Sequence, residues 1–158
     1  GSGVVVLVTG ISMQNRGCGF VRTRDHANCI GPGKRPFQTI ITAFLTDQSG
    51  NPLMAFGVMG AHMQPQGHVQ MVTRICDYRQ NPQTASDAPR WIVCNDGTIG
   101  LEEPLATMIG DQLWQRGHKP AAADAISFAF GGAQLIWRTE NGYIAASDHR
   151  KDGHAVGF

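Results

Sequence analysis

The sequence predicts a layered α+β domain in which strands from both ends of the chain pair around central helices. Continuous apolar runs, typical of strands, occur near the start, the middle and the end of the chain. From about Pro65, apolar residues recur instead at the 3.6-residue spacing of a helix. The dipeptides Asp96-Gly97 and Asn141-Gly142 each separate two apolar runs and are typical of tight hairpin turns. A chain of 158 residues has the length of one domain, 1–158.

The first half of the chain predicts three strands. The β-branched run 4–8 is typical of a strand buried on both faces. The apolar runs 39–46 and 53–59 are joined by a short polar connection containing Gly and Pro. This arrangement predicts an antiparallel pair.

The middle of the chain predicts a helix over 64–79, because Val69, Val72 and Cys76 share one face at helical spacing. An Asn-Pro dipeptide ends this helix, and 83–88 adds one short helical turn.

The second half predicts two hairpins separated by a helix. The strands are expected at 91–95, 98–101, 133–140 and 143–147. A helix is expected over 104–116, with Pro104 in its first turn. The i, i+4 stripe of Leu105, Ile109 and Leu113 is expected to face the core.

Composition limits the classes of partner. Only 16% of the residues are charged, below the usual quarter or so, which favours either an extensive interior or a surface covered by another chain. The net charge of +1 gives no electrostatic reason to expect nucleic acid or a membrane surface. No apolar stretch reaches the roughly 20 residues of a membrane-spanning helix. The sequence thus predicts neither a nucleic-acid nor a membrane partner.

The four cysteines predict no metal or redox site, because none of them forms a C-x-x-C pair. Free thiols favour a reducing, cytoplasmic compartment. The alternative is a loop disulfide between Cys18 and Cys29. No cofactor is predicted.

The segment 60–70, G-A-H-M-Q-P-Q-G-H-V-Q, is the strongest candidate site. It follows an apolar run and reads as a strand-to-helix junction opened by two small residues, Gly60 and Ala61. Small residues let a ligand approach the backbone, and amide groups at a helix start attract an oxyanion. The alternative is a tight turn into a helix with no chemical role.

Several segments, in order, resemble the small subunit of the γ-glutamyltransferase (γ-glutamyltranspeptidase) family, closest to its cephalosporin-acylase-like branch. They are G-S-G-V-V-V, G-I-S-M-Q-N-R-G-C-G-F, G-P-G-K-R-P-F-Q-T-I-I, the segment 60–70, N-P-Q-T-A-S-D-A-P-R-W, G-G-A-Q and A-S-D-H-R-K-D-G. The resemblance implies an N-terminal nucleophile (Ntn) hydrolase-type αββα sandwich. The chain corresponds to part of it, the C-terminal portion of the small subunit.

The resemblance assigns roles to three neighbouring residues. Gly60 and Ala61 match the Gly-Gly pair whose backbone N–H groups form the family's oxyanion hole. Ala61 keeps its N–H, so the hole is expected to survive the change provided that no positive φ is required there. His62 stands where relatives often have Asp and is a candidate substrate contact. The alternative for His62 is a capping or surface residue.

The resemblance also places acyl-binding residues earlier in the chain. Gln38 and Thr39 fall where glutamyl-specific members carry two Ser residues that hold the substrate carboxylate, although Thr39 is equally compatible with an early strand position. Gly19 replaces the Asp that pairs with the substrate α-ammonium, and Arg16 adds a positive charge nearby. We therefore expect acyl groups without an α-ammonium.

The family's nucleophile, an N-terminal Thr, lies upstream of the segment that Gly1-Ser2-Gly3 matches. We therefore expect this chain alone to be inactive, and to associate with a large subunit or with a copy of itself. Its predicted function is to contribute an oxyanion hole and part of an acyl pocket for a small-molecule amide. The alternatives are a non-catalytic structural or binding module that kept the fold, and a metal-dependent hydrolase, for which His62 and His68 lack suitable ligand spacing.

Overall fold

The computed structural model describes residues 2–122 and 130–157. The chain divides into two compact units, Gly1–Thr39 and Ile40–Phe158. Within the described residues, no helix has the length and apolar character needed to span a bilayer.

The first unit contains a two-stranded antiparallel hairpin, β1 (Val5–Val6) and β2 (Ile11–Ser12), followed by a 3₁₀ helix at Arg16–Gly19. The prediction of a buried strand at 4–8 is wrong, because β1 is two residues long and exposed. Val8 adopts φ 75°, and the Gly10 N–H donates to the Val6 carbonyl at 3.1 Å, so the run turns back on itself. Its β-branched residues favour an extended chain, but the side chains of 4–8 stay exposed, because the described residues of this unit do not cover them.

The described residues of the second unit form two sheets and three α-helices. Its elements are β3 (Ala43–Thr46), β4 (Pro52–Met59), α1 (Gln64–Val72), α2 (Pro82–Asp87), β5 (Trp91–Val93), β6 (Thr98–Leu101), α3 (Glu103–Gln115), β7 (Lys119–Ala122), β8 (Gly132–Thr139) and β9 (Gly142–Ser147). The larger sheet has the strand order β3-β4-β8-β9, with every pair antiparallel. The predicted strands at 53–59, 133–140 and 143–147 are confirmed, whereas β3 is shorter than the predicted 39–46.

One face of this sheet packs against α1 and α2. This helix-covered face carries alternate residues of each strand, which form the core together with residues of the two helices. The strand residues on this helix-covered face are Ala43, Leu45, Met54, Phe56, Val58, Ala133, Leu135, Trp137 and Ala146. The opposite, open face carries the intervening residues, which include Phe44, Ala55, Ile136, Tyr143 and Ala145.

The predicted helix at 64–79 is confirmed as α1 with a 3₁₀ turn before it (Ala61–Met63) and a π-helical turn after it (Thr73–Asp77). However, its buried side carries Gly67, Met71 and Ile75, whereas Val69 is 59% exposed. The reason is Gly67. A Cβ there would lie 2.6 Å from Val58 Cγ1, so the helix approaches β4 through the one position that lacks a side chain.

The smaller sheet has the order β5-β6-β7, and β7 runs parallel to β6. Strand β7 was not predicted from the sequence, because its Lys-Pro-Ala-Ala sequence has little strand propensity. Helix α3 agrees with the predicted 104–116, but the expectation that its apolar stripe faces the core is wrong. Leu105, Ile109 and Leu113 are only half-buried, because α3 packs mainly on β7 at the margin of the unit.

Candidate active site

The turn between β4 and α1 contains the first two predicted site residues. Gly60 has φ 150° and Ala61 has φ 53°, and the Met63 N–H donates to the Gly60 carbonyl at 3.1 Å to close the turn. The backbone hydrogen bonds described outside the helices and strands include none donated by the N–H of Gly60 or Ala61. Two consecutive amide donors at the start of a helix are suited to an anionic oxygen.

Ala61 does adopt a positive φ, which the sequence analysis had made the condition for losing the hole. The left-handed conformation costs an alanine about 1 kcal/mol, but it leaves the backbone N–H in place. The turn therefore carries strain at the residue that matches the second glycine of the family pair.

A second glycine, Gly131, makes this turn possible. It has φ 72°, and a Cβ there would lie 1.9 Å from the Met59 carbonyl oxygen. A Cβ on Gly60 would in turn lie 3.3 Å from the Gly131 Cα, so the two backbones pack directly on each other. No role for Gly131 was predicted from the sequence, although the adjacent glycines of the G-G-A-Q motif, just before a strand, are a signal for such a close approach.

His62 lies on the exposed side of the same turn. The N-cap positions of the 3₁₀ turn and of α1 are Gly60 and Met63.

The remaining predicted site residues lie together in the first unit. Arg16 Nη1 donates to Thr39 Oγ1 at 2.8 Å, and Nη2 donates to Asn15 Oδ1 at 2.9 Å. Thr39 lies outside any strand, and its N–H donates to Gln38 Oε1 at 3.2 Å. A Cβ on Gly19 would lie 3.5 Å from the Phe37 carbonyl oxygen. A guanidinium beside a hydroxyl is a suitable donor set for a carboxylate.

A buried ion pair holds the start of β8, beside Gly131. Arg90 and Asp148 are both fully buried, with Arg90 Nη2 2.5 Å from Asp148 Oδ2. Asp148 Oδ2 also accepts from the Ala133 N–H at 2.6 Å, while Arg90 Nη1 donates to the Phe130 carbonyl at 2.9 Å. Burial alone would raise the pKa of Asp148, but the N–H groups of Ala133 and Arg150 and the charge of Arg90 lower it.

Arg150 and Glu102 extend this pair into a network. Arg150 donates to both oxygens of Glu102, at 2.6 and 2.5 Å, and lies 3.2 Å from Asp148 Oδ1. Nearby, Arg74 donates to the carbonyls of Ala85, Ala88 and Pro89, and burial together with the charges of Arg90 and Arg150 lowers the pKa of Arg74 to about 10. The C-terminal segment thus packs on the body through salt bridges of Asp148 and Arg150, as its charged residues suggest.

In the described part of the chain, no three His, Cys, Asp or Glu side chains are grouped so that they could hold a metal ion. Cys18, Cys29, Cys76 and Cys94 are free thiols, so the alternative Cys18–Cys29 disulfide is not formed.

Comparison with known proteins gives consistent matches. A family model described as Gamma-glutamyltranspeptidase matches residues 1–158. The chain is 33% identical over 164 residues to the "Glutathione hydrolase-like YwrD proenzyme" of Bacillus subtilis, covering 100% of this chain and 31% of that protein. It is 34% identical over 164 residues to the "Oxamate amidohydrolase proenzyme" of Klebsiella pneumoniae, again covering 100% of this chain and 31% of the other.

A solved structure supports the same relationship. The cephalosporin acylase from Bacillus halodurans superposes with a TM-score of 0.87 at 45% identity, covering 98% of this chain and 29% of that one. The predicted fold class, part of an Ntn hydrolase-type sandwich, is confirmed. The chain spans 31% of the length of each of the two curated relatives named above.

Proposed function

Because the chain belongs to the gamma-glutamyltranspeptidase family, we propose that it forms part of an amidohydrolase or acyltransferase and supplies the oxyanion hole through Gly60 and Ala61. The observation that carries this proposal is the turn itself. Its two backbone N–H groups follow one another at a helix start, and close packing against Gly131 fixes the peptide that bears them. Donors held in place before the reaction stabilise the developing charge without a reorganisation cost.

The proposed chemistry follows from that placement. A nucleophile attacks the amide carbonyl, whose oxygen gains negative charge in the tetrahedral intermediate and accepts hydrogen bonds from the two N–H groups. The base takes the proton of the nucleophile and delivers it to the leaving nitrogen, so that collapse of the intermediate expels a neutral amine and leaves the acyl group on the nucleophile. Water or an acceptor amine then removes the acyl group. The nucleophile in this proposal is the family's N-terminal Thr, whose α-amine acts as the base, supplied by polypeptide outside this sequence.

A backbone test separates this role from the alternative of an inert turn. In the full-length protein, residue 61 is replaced by its α-hydroxy analogue, which removes one N–H and retains the methyl side chain. We expect kcat to fall about 10²–10³-fold with little change in KM. The matched control is Ala61→Gly, which keeps the N–H and relieves the positive φ, and should retain activity. An unchanged kcat in the ester variant would eliminate the oxyanion role.

For the acyl group, we propose a chain that ends in a carboxylate and carries no α-ammonium, such as glutaryl. Gly19 supplies no carboxylate to pair with an ammonium, whereas Arg16 and Thr39 form a hydrogen-bonded donor pair suited to a carboxylate. Gln38 lies beside them and His62 follows the turn, and both are proposed as further substrate contacts.

A competition assay between glutaryl and γ-glutamyl anilides, on the full-length protein, tests this specificity. Glutaryl should be preferred, and Arg16→Gln should raise its KM by about tenfold or more, the loss of one charge-assisted hydrogen bond. Arg22→Gln, at an exposed arginine of the same unit, is the control and should leave KM unchanged. A preference for γ-glutamyl substrates would contradict the proposal.

The partner we propose is the remainder of the proenzyme, including a large subunit. Both curated relatives are proenzymes more than three times the length of this chain. The open face exposes Phe44 at 64%, Ile136 at 50% and Tyr143 at 74%, an apolar surface that a second layer would cover. The alternative is that a second copy of this chain covers the same face.

Cleavage of the full-length protein into two chains would distinguish an enzyme from a non-catalytic module that kept only the fold. The full-length protein should appear as two chains, and N-terminal sequencing of the smaller one should give Thr. An intact chain with no amidase activity would support the module instead.

A further inference from the structure

The side chain of His68, on α1, forms a hydrogen bond with β4. Its partner is Val58, the last buried residue of β4 before the candidate oxyanion turn. The His68 Nε2 accepts a hydrogen bond from the Val58 N–H at 3.1 Å. We infer that His68 is a positioning residue that sets the orientation of the Gly60 and Ala61 N–H groups by fixing the end of β4. This inference rests on the function proposed above.

The Val58 N–H needs an acceptor that the sheet does not provide on the β3 side. The ladder between β3 and β4 ends at the pair Ala43–Phe56, two residues before Val58. Val58 is buried, and a buried N–H without an acceptor costs about 1–3 kcal/mol. The imidazole of His68 therefore replaces the strand partner at this position.

The protonation state of His68 suits this role. A neutral imidazole accepts through one nitrogen only when the other carries the proton, so the hydrogen bond from Val58 requires the Nδ1–H tautomer. Burial lowers the pKa of His68 below its ordinary value of 6.5, which keeps the ring neutral. The edge-to-face contact with Phe56, with ring centroids 5.1 Å apart, holds the ring plane.

The coupling from His68 to the turn is short. Only Met59 separates Val58 from Gly60, and Met59 is the residue whose carbonyl packs on Gly131. The Met63 side chain lies 3.5 Å from the Cβ position of Gly60. His68 thus fixes the strand end from which the turn begins, and Gly131 and Met63 pack against Met59 and Gly60. The turn therefore has little freedom to reorient the N–H groups of Gly60 and Ala61.

The test uses the full-length protein and three variants. His68→Leu removes the acceptor, His68→Gln retains one, and His118→Leu changes an exposed histidine at the end of α3 as the control. We expect His68→Leu to lower kcat about tenfold or more with KM within about twofold, since small misplacements of a catalytic group cost up to 10²-fold. His68→Gln should recover most of the loss, and the control should match the wild type.

A second readout does not depend on activity. In ¹⁵N-histidine-labelled wild-type protein at neutral pH, the His68 nitrogens should show the Nδ1–H tautomer. The Nε2–H tautomer, or an active wild type whose kcat is unchanged by His68→Leu, would overturn the inference. If His68→Leu does not fold, the tautomer and the His68→Gln kinetics still decide. An Nδ1–H tautomer in a wild type without amidase activity would instead refute the proposed function, and with it the positioning role.

Discussion

The two faces of the β3-β4-β8-β9 sheet differ chiefly in what covers them: α1 and α2 pack on one face, whereas the other leaves Phe44, Ile136 and Tyr143 exposed together with the polar Gln134 and Arg138. Leu135 on the helix-covered face is 3% exposed, whereas its neighbour Ile136 on the open face is 50% exposed. Strand β4 reads Pro-Leu-Met-Ala-Phe-Gly-Val-Met, without the polar alternation expected of a sheet with one solvated face. This apolar strand is covered on one side only, which supports the proposal that another layer packs on the open side.

The covered side also holds the groups that shape the candidate oxyanion turn. His68 and Gly67 contact β4 from α1, and the Arg90–Asp148 pair fixes the start of β8. The open side is lined mainly by apolar and aromatic residues, among them Phe44, Ile136 and Tyr143. Substitutions on the covered side should therefore lower the free energy of unfolding, whereas those on the open side should mainly change association.

The largest effect is expected from Asp148→Asn, which leaves Arg90 buried without its counter-charge. The free energy of unfolding should fall by about 3–5 kcal/mol in urea denaturation. Asp152→Asn, at an exposed carboxylate of the same segment, should change it by less than about 0.5 kcal/mol. Because the folded-state pKa of Asp148 lies below 3.8, its contribution is present above that pH and is lost as the pH falls further. A loss below about 1 kcal/mol would mean that the pair is not structurally important.

Leu135→Ala should rank second. It removes a buried side chain between α2 and the sheet, and such truncations cost about 2–5 kcal/mol. The matched change on the other face is Ile136→Ala, which in this chain alone should cost under about 1 kcal/mol. Equal losses at the two positions would contradict the difference between the faces.

Acidification should produce a smaller loss, through His68. Its folded-state pKa is lowered, so the unfolded chain binds more protons, and stability falls as the pH drops below about 6.5 towards the folded pKa. The urea midpoint measured between pH 8 and 5 should decline less in His68→Gln than in the wild type. His118→Gln should decline as the wild type does, and identical curves for all three would refute the assignment.

The smallest effect on the folding of this chain is expected from Ile136→Glu, since the side chain is half exposed. The unfolding free energy should change by less than about 1 kcal/mol, but the variant should lower self-association in light scattering at micromolar concentration. Gln115→Glu, on an exposed part of α3, adds the same charge elsewhere and should leave association unchanged.

The same Ile136→Glu substitution in the full-length protein sharpens the comparison. If another layer covers the open face there, a buried, unpaired carboxylate should destabilise the protein by several kcal/mol. A wild-type chain that is monomeric alone, together with a full-length variant of normal stability, would show that the open face is a solvent-exposed surface.

The sequence by itself determined the order of most elements and the family. The hairpin dipeptides, the switch to helical spacing from about Pro65 and the small-residue pair at 60–61 are local signals, because turn and helix propensities act over a few residues. The local pattern could not determine which apolar residues are covered. The run 4–8 is exposed, and the Leu105 stripe lies at a margin, since burial depends on what packs from elsewhere in the chain.

Only the tertiary structure decided how the candidate turn is held. Gly131 and the Arg90–Asp148 pair are distant from Gly60 in sequence, whereas His68 belongs to the same segment but reaches back to β4. They meet Gly60, or the strands that frame it, through close backbone approach and buried hydrogen bonds. Gly131 must be a glycine because the Met59 carbonyl oxygen leaves no room for a Cβ, and the residues around Gly131 do not show this. Likewise, no local pattern shows that His68 accepts the hydrogen bond that a neighbouring strand would otherwise accept. Such contacts depend on the sheet register and on the distance between helix and strand, both of which are set by the packed fold.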